Sequence, residues 1–451
     1  MTDLRRLLGD GKNIFGTDGV RGVAGSELTA ELALAIGQAA GSYLHGGPVV
    51  VGRDTRRSGP MLSAALEAGF HSVGIDTIDV GVMPSGGISH LTQASAATMG
   101  AVVSASHNPA ADNGIKLLSG RGSKLPDHIE LDIQDRLRDA GSKIAIGDAI
   151  GTRYEDRDAM YRYIDHVAKA SRYNLSGLQV AIDCANGAAY RAAPELFNRL
   201  GADITCFNDA PDGTNINLDC GATHPEYLAA LARGRIGLSF DGDADRLIVV
   251  DEDGVVANGD VVMAIIARHL KSQGQLKNNL LVATVMSNLG LHKAMKEAGV
   301  DLITTKVGDR YVMEALEQRR GLMGGEQSGH IIFTDNGNTG DGLITAVRLL
   351  NVVAGTGKEL RELRAAAITE YPQVLVNVPI RRDADIEGAT ELWEDVGDVE
   401  ALLGEDGRVL VRPSGTEPLV RVMVEALTGK QASDYADRLA ATAAEVLGRE
   451  V

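Results

Sequence analysis

The chain has 451 residues, 44% of them hydrophobic and 23% charged, an ordinary globular composition too long for one core, so two to four domains are expected. Its net charge of −17 argues against a nucleic-acid surface or a polybasic membrane contact, while leaving room for a local basic pocket. Cys184, Cys206 and Cys220 are odd in number and lack CxxC spacing, which argues against a disulfide framework or a zinc site. No apolar leader or long apolar run is visible, so a cytoplasmic location is expected.

In chain order, "FGTDGVRG" (15–22) is a Gly-rich stretch carrying Arg21. "PVVVGRDTRRSG" (48–59) reads as a strand opening into a loop, followed by a helix around 60–74 and a strand at "IDTIDVG" (75–81). A third apolar run, "GAVVSASHNP" (100–109), opens into a polar loop that ends near Lys116. The plan then repeats. "LQVAIDCANGAA" (178–189), a helix around 188–201, "ADITCFN" (202–208) and "IGLSFDGDADR" (236–246) form the second unit. "NLLVATVMSNLG" (279–290), a helix around 288–298, "VDLITTK" (300–306) and "GLMGGEQSGH" (321–330) form the third. Short apolar runs alternating with Ala/Leu-bearing helices are the α/β pattern. In open α/β sheets ligands sit beyond the carboxyl ends of the strands, so three such loops are expected to face one cleft. The tail differs: "RVLVRPSGTEPLVRVMVEA" (408–426) reads as strand, polar loop, strand, and 430–449 as an amphipathic helix.

The loops carry the chemistry. "DGDADR" (241–246) sets Asp241, Asp243 and Asp245 at alternate positions, on one side of an extended segment. Three carboxylates so close need a cation, and an all-oxygen set suits Mg²⁺. Arg21, Lys116 and Arg246 together suggest an anion pocket beside it. "RPSGTEPLVR" (412–421) offers Arg412, Ser414, Gly415, Thr416 and Arg421, the donors that grip a phosphate. Glu326 and Ser328 suit sugar hydroxyls, and His330 is a possible proton carrier. "SASHNPAADNGIK" (104–116) crowds Ser104, Ser106, His107 and Lys116 onto one turn, and residue chemistry alone does not choose between the serines.

"SASHNP", "DGDADR", "GEQSGH" and "RPSGTEP", in this order over nearly the whole chain, resemble the α-D-phosphohexomutase superfamily. "IFGTDGVRG", "TVMSNLG" and "VGDRYV" (307–312) resemble its phosphoglucosamine mutase branch. The resemblance implies an α/β fold: three related α/β units with mixed sheets around a central cleft, plus a smaller α+β C-terminal domain. The expected bounds are 1–155, holding the phosphoserine loop; 156–256, the metal loop; 257–371, the sugar loop; and 372–451, the phosphate loop. The resemblance selects Ser106 as the phosphorylated serine, which joins Asp241, Asp243 and Asp245 around one Mg²⁺. It implies that Arg21, His107 and Lys116 steady the transferred group, with Lys116 or His330 as base. Glu326, Ser328, Arg246, Arg412, Ser414, Gly415, Thr416 and Arg421 would bind substrate. The implied reaction interconverts glucosamine 6-phosphate and glucosamine 1-phosphate through glucosamine 1,6-bisphosphate, feeding UDP-N-acetylglucosamine synthesis. A phosphomannomutase or phosphoglucomutase shares every catalytic motif and is the alternative. The partner is a small sugar phosphate, with a homodimer left open.

Overall fold

In the computed structural model, which describes residues 13–16, 18–138, 144–381, 384–414 and 418–448, the apolar runs become the middle strands of three sheets. The first sheet contains β1 (Val20–Val23), β2 (Val49–Arg53), β3 (Thr77–Val82), β4 (Met99–Val103), β5 (Asp112–Ser119) and β6 (Arg153–Glu155), in the order β1-β5-β4-β2-β3-β6. The second contains β7 (Gln179–Asp183), β8 (Asp203–Phe207), β9 (Ile236–Phe240), β10 (Leu247–Val250) and β11 (Val256–Ala257), ordered β11-β10-β9-β7-β8. The third contains β12 (Leu280–Thr284), β13 (Asp301–Thr305), β14 (Met323–Gly325) and β15 (Ile331–Phe333), ordered β13-β12-β14-β15.

The three share one topology. The first strand of each unit (β2, β7, β12) is central and runs parallel to the second (β3, β8, β13) and the third (β4, β9, β14). A fourth strand then returns antiparallel to the third: β5 on β4, β10 on β9, β15 on β14. β4, β9 and β12 are buried along their full length, as strands covered on both faces must be, which is why they read as unbroken apolar runs. The helix Gly59–Ser72 supplies Leu62, Leu66 and Phe70 to the first core, spaced one turn apart. In each unit the link from third strand to return strand is a chemistry-bearing loop, at the carboxyl end of the parallel strands. Two residues expected on loops are on strands instead. Arg21 lies in β1 opposite Gly114, and Lys116 lies in β5 opposite Val102.

The described chain divides into two compact units. One comprises the residues up to Met286 together with Val300–Ala367; the other comprises Ser287–Gly299 and Ile368–Val451. The second is built on an antiparallel sheet of β16 (Gln373–Pro379), β17 (Arg408–Pro413) and β18 (Leu419–Glu425), ordered β16-β18-β17. Helices Thr390–Leu403 and Gly429–Leu447 cover it, with Leu392, Val399, Val422 and Leu439 in the core. The helix Leu289–Ala298 belongs to this unit, although its sequence position is inside the expected third domain, 257–371. Its N-cap, Asn288, exchanges two 2.9 Å hydrogen bonds with the Tyr371 backbone. Glu425 accepts from the Leu289 N–H at 2.9 Å, and Lys293 Nζ reaches Tyr371 Oη at 2.7 Å and Asp406 at 2.8 Å.

Candidate active site

Within the first unit the three loops converge. Ser106 is 1% exposed and has φ of +52°, a left-handed conformation unusual for a residue with a Cβ. Its Oγ donates to Asp241 Oδ2 at 2.6 Å and lies 3.3 Å from His107 Nδ1. Ser104 has a different job. Its Oγ accepts from the Ser106 N–H at 2.9 Å and donates to Asp54 Oδ2 at 2.6 Å, so it shapes the turn. Gly242 lets the second loop approach closely, because a Cβ there would meet the Ser106 carbonyl at 2.5 Å.

Asp241, Asp243 and Asp245 are all buried, with one oxygen from each lying within 4.8 Å of the others. Oδ1 of Asp243 and of Asp245 are buried without a hydrogen-bond partner. Burial first, and then the Asp245 and Asp243 charges, push the Asp241 carboxyl well above its ordinary value. Three buried carboxylates, two of them with an unused oxygen, are a donor set that could hold a hard cation. Two side chains from the first unit's first repeat support the triplet: Ser85 Oγ donates to Asp243 Oδ2 at 2.7 Å, and Lys116 Nζ donates to the same oxygen at 3.1 Å and to Asp245 at 3.5 Å.

Lys116 is 6% exposed. Burial would depress its pKa, but Asp243, Asp245 and Asp18 raise it above the usual lysine value. His330 behaves alike: burial opposes its charge, yet Asp245 and Asp309 lift its pKa to about 9. Both base candidates are therefore protonated at neutral pH in this arrangement. His107 is the opposite case. Burial, followed by Arg246 and Arg21, lowers it to about 4, so its imidazole is neutral.

Arg246 adjoins the triplet, and its buried Nε has no hydrogen bond but stands 3.9 Å from Asp245 Oδ1. Its backbone bridges to that of His330, and the Leu247 N–H donates to the Gly329 carbonyl at 3.0 Å. This ties the second loop to the third. Gly329 is required there, since its φ is +91° and a Cβ would stand 2.3 Å from the Leu247 oxygen. Glu326 and Ser328 are half-buried on the third loop; Glu326 accepts from the Gly308 N–H at 3.0 Å and from Ser328 Oγ at 3.3 Å. Arg21 bonds Asp18 at 3.1 Å and Asn108 at 3.3 Å.

In the second unit, Arg412 and Arg421 are directly opposite each other on β17 and β18. Both Nε atoms are buried and unpartnered, and burial together with Arg421 lowers the pKa of Arg412. Two facing guanidinium groups whose Nε atoms have no hydrogen-bond partner among the described residues suit an anion. Ser414 lies at the strand end, its N–H donating to the Leu419 carbonyl at 2.9 Å. Gly415 and Thr416 lie outside the described residues.

Several site residues escaped the sequence reading. Arg56 and Asn217 brace the serine loop, and Asp54 anchors Ser104. Lys124 joins Asp18 to Asp309, which lies 3.5 Å from His330. These charged groups sit in stretches that carry no spacing signal, apart from "GRDTRRSG", whose two consecutive arginines after a buried strand were a usable cue.

Models of all four domains of the phosphoglucomutase/phosphomannomutase family match this chain. Alpha/beta/alpha domains I, II and III match residues 12–143, 161–254 and 258–371, and the C-terminal domain matches 375–442. The phosphoglucosamine mutase of Desulforudis audaxviator is 50% identical over 422 residues, covering 92% of this chain and 94% of its own. That of Saccharopolyspora erythraea is 49% identical over 442 residues, covering 96% and 99%. A crystal structure of a phosphoglucomutase/phosphomannomutase family protein from Burkholderia thailandensis aligns with a TM-score of 0.81 at 26% identity, over 96% of this chain and 97% of that one. Aspergillus fumigatus N-acetylphosphoglucosamine mutase, solved with GlcNAc-6P and magnesium, shares the fold with a TM-score of 0.71 at 19% identity, over 99% of each chain.

Proposed function

The chain belongs to the phosphoglucomutase/phosphomannomutase family and has the activity of its phosphoglucosamine mutases, interconversion of glucosamine 6-phosphate and glucosamine 1-phosphate, and on that premise we propose that Ser106 carries the transferred phosphoryl group. The observation that carries this reading is the Ser106 Oγ–Asp241 contact of 2.6 Å at the rim of the buried carboxylate triplet. The proposed domains are 1–155, 156–256, 257–371 and 372–451, with the helix Leu289–Ala298 of the third grouped with the last. The mannose and glucose mutase alternative draws no comparable support from the relatives near 50% identity.

The O1 hydroxyl of glucosamine 6-phosphate attacks the phosphorus of phosphoserine 106. The P–Oγ bond breaks and a P–O1 bond forms, giving glucosamine 1,6-bisphosphate and free Ser106. After the bisphosphate turns over, Ser106 Oγ attacks the phosphorus on O6, the P–O6 bond breaks, and glucosamine 1-phosphate leaves. The transferred group spreads negative charge over its oxygens, so positioning and nearby cations account for most of the acceleration. Arg21 and Arg246 supply fixed positive charge, Lys116 adds to it while protonated, and the neutral His107 hydrogen-bonds the serine oxygen. Asp241, Asp243 and Asp245 would hold Mg²⁺, which when bound would supply Lewis-acid charge for the phosphoryl oxygens. Glu326 and Ser328 bind sugar hydroxyls; Arg412, Ser414, Gly415, Thr416 and Arg421 grip the phosphate that is not reacting. Lys116 or His330 takes the proton of the attacking hydroxyl once it has lost its own.

Replacement of Ser106 by Ala should abolish turnover and remove the phosphate seen by intact-mass measurement. Ser104→Ala, which leaves the phosphoryl acceptor in place, should keep measurable activity and the phosphate. Wild-type turnover by Ser106→Ala sinks the assignment.

A further inference from the structure

The turn that presents Ser106 is built around a side chain that carries no chemistry in the reaction. Arg56, just beyond β2, is 1% exposed. Its Nη2 donates to the carbonyls of Ser106 at 3.0 Å and Asn108 at 2.8 Å. Its Nη1 donates to the carbonyl of Asp112 at 3.0 Å and to that of Pro109. Its Nε donates to Asp54 Oδ2 at 2.9 Å, the same oxygen that receives Ser104 Oγ. Four carbonyls of one short loop thus converge on one guanidinium. Their dipoles would repel one another without it.

The outer side of the loop is closed by the second repeat. Asn217 Nδ2 donates to the carbonyls of Ser106 at 2.9 Å and Asn108 at 3.0 Å, two of the four that Arg56 holds. Meanwhile the Arg56–Asp54–Ser104 chain ends on the Ser106 N–H. Both backbone groups of Ser106 are therefore held while it is in the left-handed conformation. We infer that Arg56 is the positioning residue of phosphoryl transfer: it locks the serine loop so that Ser106 Oγ stays directed at Asp241. The inference rests on Ser106 being the phosphoryl carrier. Arginine is required because its planar fork reaches several acceptors at fixed angles, whereas a lysine ammonium is a point charge that would hold at most a few of them.

The test is a single-turnover measurement of phosphoryl transfer from glucosamine 1,6-bisphosphate to the dephosphorylated protein, read by intact mass, beside steady-state kcat and KM. Arg56→Lys keeps the buried charge and loses the fork. Displacement of a reacting atom by about 1 Å can lower a rate by ~100-fold, so transfer rate and kcat should fall by that order. KM for glucosamine 6-phosphate should stay within about threefold, because the groups that bind the sugar phosphate are elsewhere. Asn217→Gly tolerates the left-handed backbone and removes only the outer donor; its kcat should fall by roughly tenfold, again at constant KM. Wild-type transfer by folded Arg56→Lys overturns the inference, and so does a rise in KM at unchanged kcat. Should Arg56→Lys fail to fold, an unchanged kcat in Asn217→Gly overturns it. A Ser106→Ala control separates the two claims: phosphate uptake by that variant would remove the serine assignment, whereas its inertness beside a normal Arg56→Lys would remove the clamp alone.

Discussion

Arg421→Ala isolates the proposed phosphate grip. Arg421 faces Arg412 across β17 and β18, and neither Nε has a partner. Like charges directly opposite on neighbouring strands destabilise a sheet by roughly 0.2–1 kcal/mol. Removing one should leave the second unit as stable as before, or slightly more so. Substrate binding should respond in the opposite sense. A hydrogen bond to a charged group contributes about 1.5–3 kcal/mol, which corresponds to about a 10- to 150-fold fall in kcat/KM for glucosamine 6-phosphate. The assay pairs kcat/KM with a melting curve, beside Lys430→Ala as control, since Lys430 is exposed and pairs with Asp434 at a helix surface. Equal kcat/KM in the two variants would refute the grip. So would a lowered melting temperature that accounts for the lost activity, because it would make Arg421 a structural residue.

Asp243→Asn removes one anion from the triplet while keeping its shape; activity should collapse, and the stabilisation by added Mg²⁺, about 2.7 kcal/mol at a hundredfold excess over Kd and read as a rise in melting temperature, should disappear. An undiminished Mg²⁺ response would make the triplet an acidic turn. Glu67 gives a pH effect remote from the triplet: burial, then the Asp79 charge, raise its carboxyl from 4.5 to about 7 against Arg153 and Arg53. The folded protein then holds a proton that the unfolded chain releases, so this contribution to stability is full below pH 4.5 and is lost as pH rises through about 7. Glu67→Gln should flatten that decline in urea titrations at pH 5 and 7.5, and an identical slope would discount the shift. Truncation before Ile368 strips the helix Leu289–Ala298 of Tyr371, Asp406 and Glu425. Trypsin should therefore cut the truncated protein at Lys293 or Lys296 and spare the full chain there; equal protection would mean that the helix does not depend on the C-terminal sheet.

The sequence by itself determined the repeated strand–helix–strand plan, because fully buried strands must be continuous apolar runs and glycine-marked loops must follow them. It also marked the three aspartates of "DGDADR" as a cation-site candidate, but the structure gathers them on a turn, with Ala244 at φ of +56° and its N–H on the Asp241 carbonyl, and not along an extended segment; it offered Arg412 and Arg421 as phosphate donors, and their facing register comes from the strand pairing of β17 and β18. Local spacing could not reveal which serine points at the triplet. That depends on Arg56, Asp54 and Asn217, and Asn217 meets Ser106 across 111 positions of chain. Ser85 reaches Asp243 across 158, and Lys116 across 127. The same limit hid the allegiance of the helix Leu289–Ala298, which has an ordinary amphipathic pattern and is tied to the C-terminal sheet by tertiary bonds such as those of Asn288, Lys293 and Glu425. Hydrogen bonds of this kind form only after separate repeats have packed. Their energy is a property of the assembled interior, where an unpaired carbonyl or charge is costly, and no periodicity in the chain records it.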